Sequence, residues 1–335
     1  MAARAPAFWQ RRGALAQLLR PLSWLFGALA ARRRARLQRQ RLPVPVIVVG
    51  NIAVGGSGKT PVVDWLAGVL REAGHRPGIV SRGHGGRLSA QGAVAMVPAD
   101  GDPAQYGDEP VLLARLTACP LVIGRDRPAA ARELLRHHPG CDVLIADDGM
   151  QHYRLARDIE IAVVDEATLG NGLLLPAGPL REPLARLGEV DLVIAHGPLS
   201  ARLQALLGTV PAYAMQLQGG ALRALVDPAR QRPAGELRGQ RAHAVAGIGR
   251  PQRFFDQLAA EGIEVIPHPF PDHHRFKAAD LAFEDALPIL MTAKDAVKCA
   301  PFAPADCWEY PVRAQIGPGA AERILEKLED GRTSA

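Results

Sequence analysis

The sequence predicts an α/β protein with a doubly wound, mainly parallel sheet, a second, smaller α/β domain and an N-terminal helical segment. Unbroken apolar runs such as Val46 to Val49 are typical of strands buried on both faces of a parallel sheet. These runs alternate with helical segments as far as about residue 210, which indicates parallel strands joined by crossover helices. From about Tyr213 the pattern restarts on a smaller scale.

Three parts follow from this pattern. Residues 1–41 form a basic segment, residues 42–212 form the core, and residues 213–335 form the smaller domain, with a last helix at about 318–335 that is free to pack back on the core. The four cysteines are scattered without a C-x-x-C pair, so the sequence suggests neither a zinc site nor a disulfide framework. This usage fits a reducing cytosol.

The positive charge of the chain belongs to its first 41 residues. They contain ten arginines and no acidic residue, so the remainder has 30 basic and 34 acidic residues, a net charge of about −4. Pro21 is expected to divide this segment into two helices. One helical face, about 120° wide, carries large apolar side chains: Leu15, Leu18, Leu19, Leu22, Leu25, Phe26 and Leu29.

We interpret this segment as an interfacial membrane anchor, with the apolar face in the headgroup boundary and arginines on anionic lipid. The longest uncharged run, Pro21 to Ala31, is about half of the ~20 residues that span a bilayer, which argues against a spanning helix. A signal peptide is less suitable because Arg20-Pro21 interrupts the apolar region. A helix packed on the core with a solvated arginine face stays open, and a nucleic-acid arm lacks a reading module elsewhere.

A glycine-rich loop follows the first predicted strand and precedes a helix that we expect to begin near Thr60, with Pro61 as its first residue. Backbone N–H groups of such a loop and the helix dipole bind phosphate. Lys59 supplies a charge for the β- and γ-phosphates, and the Thr60 hydroxyl is a Mg²⁺ ligand. The predicted nucleotide-binding residues are Ala53, Val54, Gly55, Gly56, Ser57, Gly58, Lys59 and Thr60.

The loop therefore predicts a P-loop core that binds a nucleoside triphosphate. Its one departure from G-x-x-x-x-G-K-[ST] is Ala53, which stands where the first glycine is expected. Gly55, Gly56 and Gly58 supply the freedom for positive φ that the loop needs.

Three further groups of residues at the ends of predicted elements are candidates for the site. Asp147 and Asp148 follow a hydrophobic strand, a position from which P-loop enzymes hold Mg²⁺; an acidic turn is the alternative. Asp108 and Glu109 stand at the start of a helix, where helix capping explains them as well as chemistry does. His273, next to Asp272 and His274, belongs either to a surface turn or to a catalytic element facing the cleft.

Seven ordered motifs resemble the tetraacyldisaccharide 4′-kinases of lipid A biosynthesis over nearly the whole chain. They are GN-x-x-x-GG-x-GKTP (Gly50 to Pro61), SRG-x-GG (Ser81 to Gly86), GDEP (Gly107 to Pro110), DDG-x-QH (Asp147 to His152), LPAGPLREP (Leu175 to Pro183), FPDHH-x-F (Phe270 to Phe276) and MT-x-KDAVK (Met291 to Lys298). In this family a small residue at the Ala53 position is unremarkable.

The resemblance implies a peripheral kinase on the cytoplasmic face of the bacterial inner membrane. It would transfer the γ-phosphate of ATP to the 4′-hydroxyl of an acylated glucosamine disaccharide 1-phosphate, with Mg²⁺, to form lipid IVA. It also implies a two-stranded hinge between the domains, with the site between them. Its partners would be the lipid substrate and an anionic membrane surface, with no nucleic acid and no protein partner.

Site residues carry over from the motifs of the same family. Asp108 becomes the base for the attacking hydroxyl, paired with His273, and Lys59 is the third catalytic residue. Thr60, Asp147 and Asp148 match the metal region. The other site-lining positions are Arg82, Glu109, Arg127, His152, Arg181 and Glu182.

Two other classes compete with this interpretation. A GTPase-type metallochaperone or nucleotide switch usually recognises guanine through N/T-K-x-D, whereas Thr292-Ala293-Lys294-Asp295 has its lysine one place too late. A nucleic-acid-dependent ATPase is disfavoured by the acidic body of the chain.

Overall fold

The computed structural model describes residues 6–333, with side chains as far as residue 330. The predicted first segment begins, and the last predicted helix ends, outside these residues. The strands are β1 (Val46–Gly50), β2 (Pro77–Ser81), β3 (Ala95–Met96), β4 (Leu121–Ile123), β5 (Val143–Asp147), β6 (Ile159–Val164), β7 (Leu192–His196), β8 (Ala212–Gly219), β9 (Leu222–Ala224), β10 (Gln231–Arg232), β11 (Arg241–Ala246), β12 (Glu264–Pro269), β13 (Ile289–Thr292), β14 (Cys307–Tyr310) and β15 (Val312–Ile316).

Helices cover the faces and ends of these strands. The α-helices are α1 (Ala14–Arg36), α2 (Lys59–Glu72), α3 (Arg87–Ala90), α4 (Pro103–Tyr106), α5 (Asp108–Thr117), α6 (Arg127–His137), α7 (Ala201–Leu207), α8 (Pro251–Ala260), α9 (Ala293–Cys299) and α10 (Ala320–Thr333). Short 3₁₀ helices lie at Ala7–Gln10, Glu166–Thr168, Leu184–Glu189, Ala234–Leu237, Ala278–Leu281 and Ala300–Phe302.

The larger sheet has nine strands in the order β15-β8-β7-β6-β1-β5-β2-β4-β3. All neighbours pair in parallel except β3 with β4 and β15 with β8, so the predicted parallel sheet is confirmed. The first strand, β1, lies between β5 and β6, and all five of its residues are buried. The loop after β1 therefore opens at the point where strand order reverses, which is where ligands bind in open α/β sheets.

The smaller sheet has six strands in the order β10-β9-β14-β13-β11-β12, and its four strands from β14 to β12 run parallel. Its core packs Trp308 and Leu290 against Phe254 and Phe255 of α8. The chain enters this sheet after β8 and returns through β15, which pairs with β8 in an antiparallel ladder. The larger sheet thus takes two strands from beyond residue 211, and α10 packs on α2; the division into domains itself stays a prediction.

The N-terminal segment forms one continuous helix, so the prediction of two helices separated at Pro21 is wrong. Pro21 is exposed, and the carbonyl that it leaves without an N–H partner can therefore bond water. Ser23 joins the helix to the core: its hydroxyl donates to the Leu174 carbonyl at 2.8 Å and accepts the Ala177 N–H at 3.1 Å. Most of the predicted apolar face is exposed, with Leu18 76% accessible.

The exposed leucines contradict the alternative in which this helix buries its apolar face on the core. Helix α1 is also long and apolar enough to cross a membrane by length and composition, so length alone does not argue against a spanning helix. Core helices of soluble proteins and signal sequences meet the same criterion, which makes it weak evidence for a span.

Candidate active site

The phosphate loop has the conformation that its glycines permit. Gly55 and Gly58 have φ values of 117° and 86°, whereas Gly56 does not have positive φ. Helix α2 begins at Lys59, which makes Pro61 its third residue and corrects the predicted first position. The Asn51 side chain donates to Ser57 Oγ at 3.1 Å and ties the loop to the end of β1.

Ala53 stands in the loop without strain, although the general pattern has glycine there. Its φ is not positive, and it is 1% exposed. The backbone around it forms an isolated antiparallel bridge with Leu180, and the Val54 N–H donates to the Pro179 carbonyl at 2.9 Å. The methyl group therefore packs in the core, and no glycine is required.

The two adjacent aspartates at the end of β5 have different surroundings. Asp147 is buried and accepts a hydrogen bond from Ser81 Oγ at 2.7 Å. Burial, together with the charges of Glu109 and Asp148, raises the pKa of Asp147 to about 6. Asp148 lies 3.5 Å from Lys59 Nζ.

Arg181 provides the second cation for Asp148. Its Nη1 lies 3.2 Å from Asp148 Oδ2, while its Nε and Nη2 donate to the Ala53 carbonyl at 3.2 and 3.1 Å. Burial would raise the pKa of Asp148, but Lys59 and Arg181 outweigh it and hold that pKa well below its usual range. The phosphate loop, Asp148 and Arg181 are therefore one connected unit.

These residues fit a magnesium ion that is shared with phosphate oxygens. Within residues 6–333 no group of three His, Cys, Asp or Glu side chains forms a complete metal cage. Mg²⁺ bound to a nucleotide takes only one or two carboxylates from the protein and completes its octahedron with phosphates and water. Asp147 is buried among like charges that a divalent cation would compensate, which makes Asp147, Asp148 and Thr60 the suitable donors.

The predicted catalytic pair is brought together from positions 165 residues apart in the chain. Asp108 is the first residue of α5 and is 6% exposed, and its Oδ2 lies 3.0 Å from Nδ1 of His273. His273 occupies the turn after β12 with a φ of 57°. Gly107 takes the N-cap position, but Asp108 Oδ1 accepts the backbone N–H of Glu109 at 3.0 Å, so Asp108 also stabilises the start of the helix. His274 contacts Asp280 at 3.0 Å, whereas His273 lies in the turn and contacts Asp108, which favours the interpretation that it faces the cleft.

Gly249 links the segment that carries His273 to the phosphate loop. A Cβ built on Gly249 would be 3.4 Å from the backbone nitrogen of Gly56 and 3.4 Å from Oδ2 of Asp272. The loop after β11 therefore fits between the phosphate loop and the segment that carries His273. The loop ends of the two parallel sheets face each other here.

Most of the remaining predicted residues form a basic cluster, and Glu182 lies buried next to it. Arg127 is fully buried, its Nη2 donates to the Asp147 carbonyl at 3.3 Å, and burial lowers its pKa to about 10. Burial, then the charges of Arg127 and exposed Arg82, lower the pKa of His152 to about 4. Glu182 is buried behind this cluster and accepts hydrogen bonds from the Gln151 amide and the Tyr153 hydroxyl.

Comparisons with known proteins agree with this geometry. The family model described as tetraacyldisaccharide-1-P 4′-kinase matches residues 15–329. The chain belongs to this family. It is 65% identical to the tetraacyldisaccharide 4′-kinase of Azoarcus sp. over 99% of this chain and 97% of that one, and 64% identical to that of Aromatoleum aromaticum over both full lengths.

A solved structure has the same fold. LpxK from Aquifex aeolicus, crystallised with ATP, matches with a TM-score of 0.77 and 28% identity, covering 94% of this chain and 99% of that one. The protein is therefore an ATP-dependent kinase of lipid A biosynthesis, as the motifs implied. The alternative of a GTPase-type metallochaperone or nucleotide switch finds no support in these relatives.

Two lysines near the catalytic pair of this kinase had no role predicted from the sequence. Lys294 Nζ lies 3.0 Å from Glu109 Oε1 and 3.3 Å from Asp272 Oδ1. Lys298 Nζ lies 4.0 Å from Asp108 Oδ2. Both lysines lie in the motif MT-x-KDAVK (Met291 to Lys298), and their spacing of four residues after a strand end predicts that they share one helical face.

A second cluster that sequence reasoning missed joins the two sheets. Asp165, at the end of β6, is 2% exposed and pairs with Arg250 at 2.5 Å and with Arg253 at 2.7 Å. Both arginines come from the start of α8, which belongs to the smaller sheet. A lone aspartate after a strand and two arginines 85 or more residues later give no joint pattern in the sequence.

Proposed function

We propose that this kinase transfers the γ-phosphoryl group of ATP to the 4′-hydroxyl of a tetraacyldisaccharide 1-phosphate and thereby forms lipid IVA. The observation that supports it most is the 3.0 Å contact between Asp108 and His273. Asp272, the residue before His273, lies beside Gly249, which in turn lies beside Gly56 of the phosphate loop. A phosphate loop alone would suit a nucleotide hydrolase or a nucleotide switch equally well. A carboxylate–imidazole pair facing it suits a hydroxyl acceptor, which must lose a proton as it attacks.

The roles of the residues follow from their charges. Lys59 and Arg181 lie on the phosphate side and neutralise charge that builds up on the transferring group. Bound Mg²⁺, held by Thr60, Asp147 and Asp148, would polarise the β- and γ-phosphate oxygens. Phosphoryl transfer needs mainly such positioning and charge stabilisation, since the protein forms no covalent bond.

Asp108 accepts the hydroxyl proton in this proposal. His273 lies against the same carboxylate through Nδ1 and fixes its orientation. The Asp108 hydrogen bond to His273 raises the pKa of the imidazole, so the pair readily holds one proton between its members. When His273 is neutral, the pair can take up the proton that the acceptor hydroxyl loses, and the raised pKa of the imidazole favours keeping that proton in the pair.

We further propose that α1 holds the kinase on the anionic cytoplasmic face of the inner membrane as a peripheral protein. Most of its leucine face is exposed, while Ser23, at the edge of that face, attaches the helix to the core. Arg32 to Arg36 continue the helix and add the positive charge that anionic lipid attracts. The substrate class supports this placement, because a four-chain lipid stays in the bilayer.

A radiolabelled phosphate transfer assay tests the reaction. The kinase is incubated with γ-labelled ATP and a tetraacylated disaccharide 1-phosphate in mixed micelles, with GTP as the alternative donor. We expect label in a bisphosphorylated lipid with ATP, and none with an acceptor that already carries a 4′-phosphate. Label transfer to the blocked acceptor, or label released only as inorganic phosphate, would contradict the proposed acceptor.

A further inference from the structure

We propose that Lys294 and Lys298 are positioning residues for the catalytic pair: together they hold the Asp108 carboxylate ionised and aimed at His273, and so set the pH range in which the pair works. This inference rests on the proposed role of Asp108 as the base. It adds two lysines of α9, which packs beside the smaller sheet, to the residues assigned to the catalytic pair.

Both lysines project from one face of α9. They are four residues apart in a helix, so their side chains lie one above the other. Helix α9 packs directly on α5, the helix that begins with Asp108. Two ammonium groups of α9, beside the smaller sheet, therefore lie near the first turn of α5, beside the larger sheet.

Lys294 connects three carboxylates across this contact. Its Nζ lies 3.0 Å from Glu109, 3.3 Å from Asp272 and 3.9 Å from Asp108. Its side chain is only 15% exposed, so water screens these attractions weakly. Asp272 directly precedes His273, and Lys294 thus fixes the segment that carries the imidazole as well as the helix that carries the carboxylate.

Lys298 reaches Asp108 from the next turn of α9. Its Nζ lies 4.0 Å from Asp108 Oδ2 and 2.7 Å from Asp295 Oδ1, and it stands 5.0 Å from the centre of the Phe276 ring. Asp295 is fully buried and accepts the Gly247 N–H at 2.9 Å, which anchors this lysine to the end of β11. The ammonium is therefore held in place.

The charge balance around the pair favours the ionised carboxylate. The titratable groups that face Asp108 and His273 come from α5, α9 and the loops after β2 and β12: Glu109, Lys294, Lys298, His84 and Asp272. Burial pushes the pKa of Asp108 upward, but the hydrogen bond to His273 and the charges of both lysines reverse that effect. Lys294 also lowers the pKa of His273 against the effect of Asp108.

Removing one lysine therefore shifts the pKa values of Asp108 and His273 in a defined direction. Loss of a nearby cation raises the pKa of the carboxylic acid and of the imidazole alike, so both apparent pKa values of the pair move to higher pH. An opposite charge within about 4–6 Å shifts a carboxyl pKa by about 1–3 units. We expect Lys294→Met to move the apparent values upward by about one unit, and Lys294→Arg to leave them close to wild type.

Two measurements on the full-length kinase test this. The His273 ring signal is followed by NMR against pH in histidine-labelled protein and assigned with a His273→Gln spectrum, and kcat/KM is measured over the same pH range. Lys327→Met is the matched control, because Lys327 also forms an ion pair, at 2.6 Å with Asp191, but lies on α10 away from the site. We expect both pH profiles to shift in Lys294→Met and neither to shift in the control.

The outcomes separate the two proposals. Activity lost at every pH with unchanged apparent pKa values would overturn the positioning role and leave the lysines as structural ion pairs. An NMR shift without a kinetic shift would support the electrostatic role of the lysines and count against Asp108 as the base. If Lys298→Met fails to fold because Asp295 loses its partner, Lys294→Met still decides the question.

Discussion

Replacing Asp108 with asparagine separates its chemical role from its structural role. The asparagine side chain keeps the size of the aspartate and keeps a carbonyl oxygen that accepts the His273 Nδ1–H, so the 3.0 Å contact survives. Lys294 keeps Glu109 and Asp272 as partners, and Lys298 keeps Asp295. The variant therefore leaves no buried cation unpaired.

The expected effects differ in size. A hydrogen bond to a charged group contributes about 1.5–3 kcal/mol and a neutral one about 0.5–1.5, so the free energy of unfolding falls by about 1 kcal/mol. General base catalysis typically contributes about 10²- to 10⁴-fold in rate. That loss corresponds to about 3–5 kcal/mol in the activation barrier, several times the effect on stability.

Single-turnover transfer from labelled ATP, thermal unfolding and nucleotide affinity are the measurements needed. We expect turnover to fall by the factor given above while ATP affinity stays the same, because Asp108 contacts no residue of the phosphate loop. The control is Asp280→Asn, which makes the same substitution in the comparable contact with His274 on the far side of the turn. Turnover of Asp108→Asn within a few-fold of wild type would refute the base assignment and make Asp147 the next candidate.

The pH dependence of stability gives an independent check. The pKa of His273 is raised in the folded state, so its contribution is fully present below its unfolded value of about 6.5 and is lost as pH rises through the folded value. The pKa of Asp108 is lowered, so its contribution is present above about 3.8 and is lost as pH falls through the folded value. In Asp108→Asn we expect the stability lost above pH 6.5 to be smaller than in wild type, measured by urea unfolding.

Three other predictions address the rest of the molecule. Lys59→Met should abolish transfer while thermal unfolding changes little, since Arg181 still pairs with Asp148; near-normal activity would contradict the phosphate-loop role. Deleting residues 1–36 should weaken sedimentation with anionic vesicles far more than ATP binding, and about 1 kcal/mol per arginine makes the wild-type binding salt-sensitive. Arg186→Met should cost about 1–3 kcal/mol in urea unfolding, because buried Glu160 loses its closest partner but keeps Arg157 at 2.8 Å; no measurable loss would argue against that network.

The sequence predicted best where local patterns decide the structure. The β-branched run of β1 and the glycines after it specify a buried strand and a phosphate loop without help from the rest of the chain. The strand before Asp147 is equally self-contained. The prediction failed at Pro21, because local rules treat an internal proline as a break, whereas the exposed position lets water bond the freed carbonyl.

Electrostatic partners could not be read from the sequence in the same way. Asp147 and Asp148 are adjacent and chemically identical, yet the pKa of one is raised and that of the other is lowered. The difference arises because Lys59 and Arg181 both reach Asp148, and Arg181 arrives from a loop 33 residues later. Only the fold determines which of two neighbouring carboxylates faces the cations.

The two sheets form one site through their loop ends and the ion pairs between them. Each catalytic segment follows the carboxyl end of a parallel strand, with the phosphate loop after β1 in one sheet and His273 after β12 in the other. Loop ends of two separate sheets face each other only if something holds the sheets together, and ion pairs do so here: Lys294 with Glu109, and Arg250 with Asp165. Because Asp165 and Lys294 are largely buried, these pairs are screened weakly, and each restricts the other sheet to a narrow range of positions. The alignment of Asp108 with His273 therefore depends on charges from both sheets, and a change at Lys294 is expected to alter chemistry that it does not itself perform.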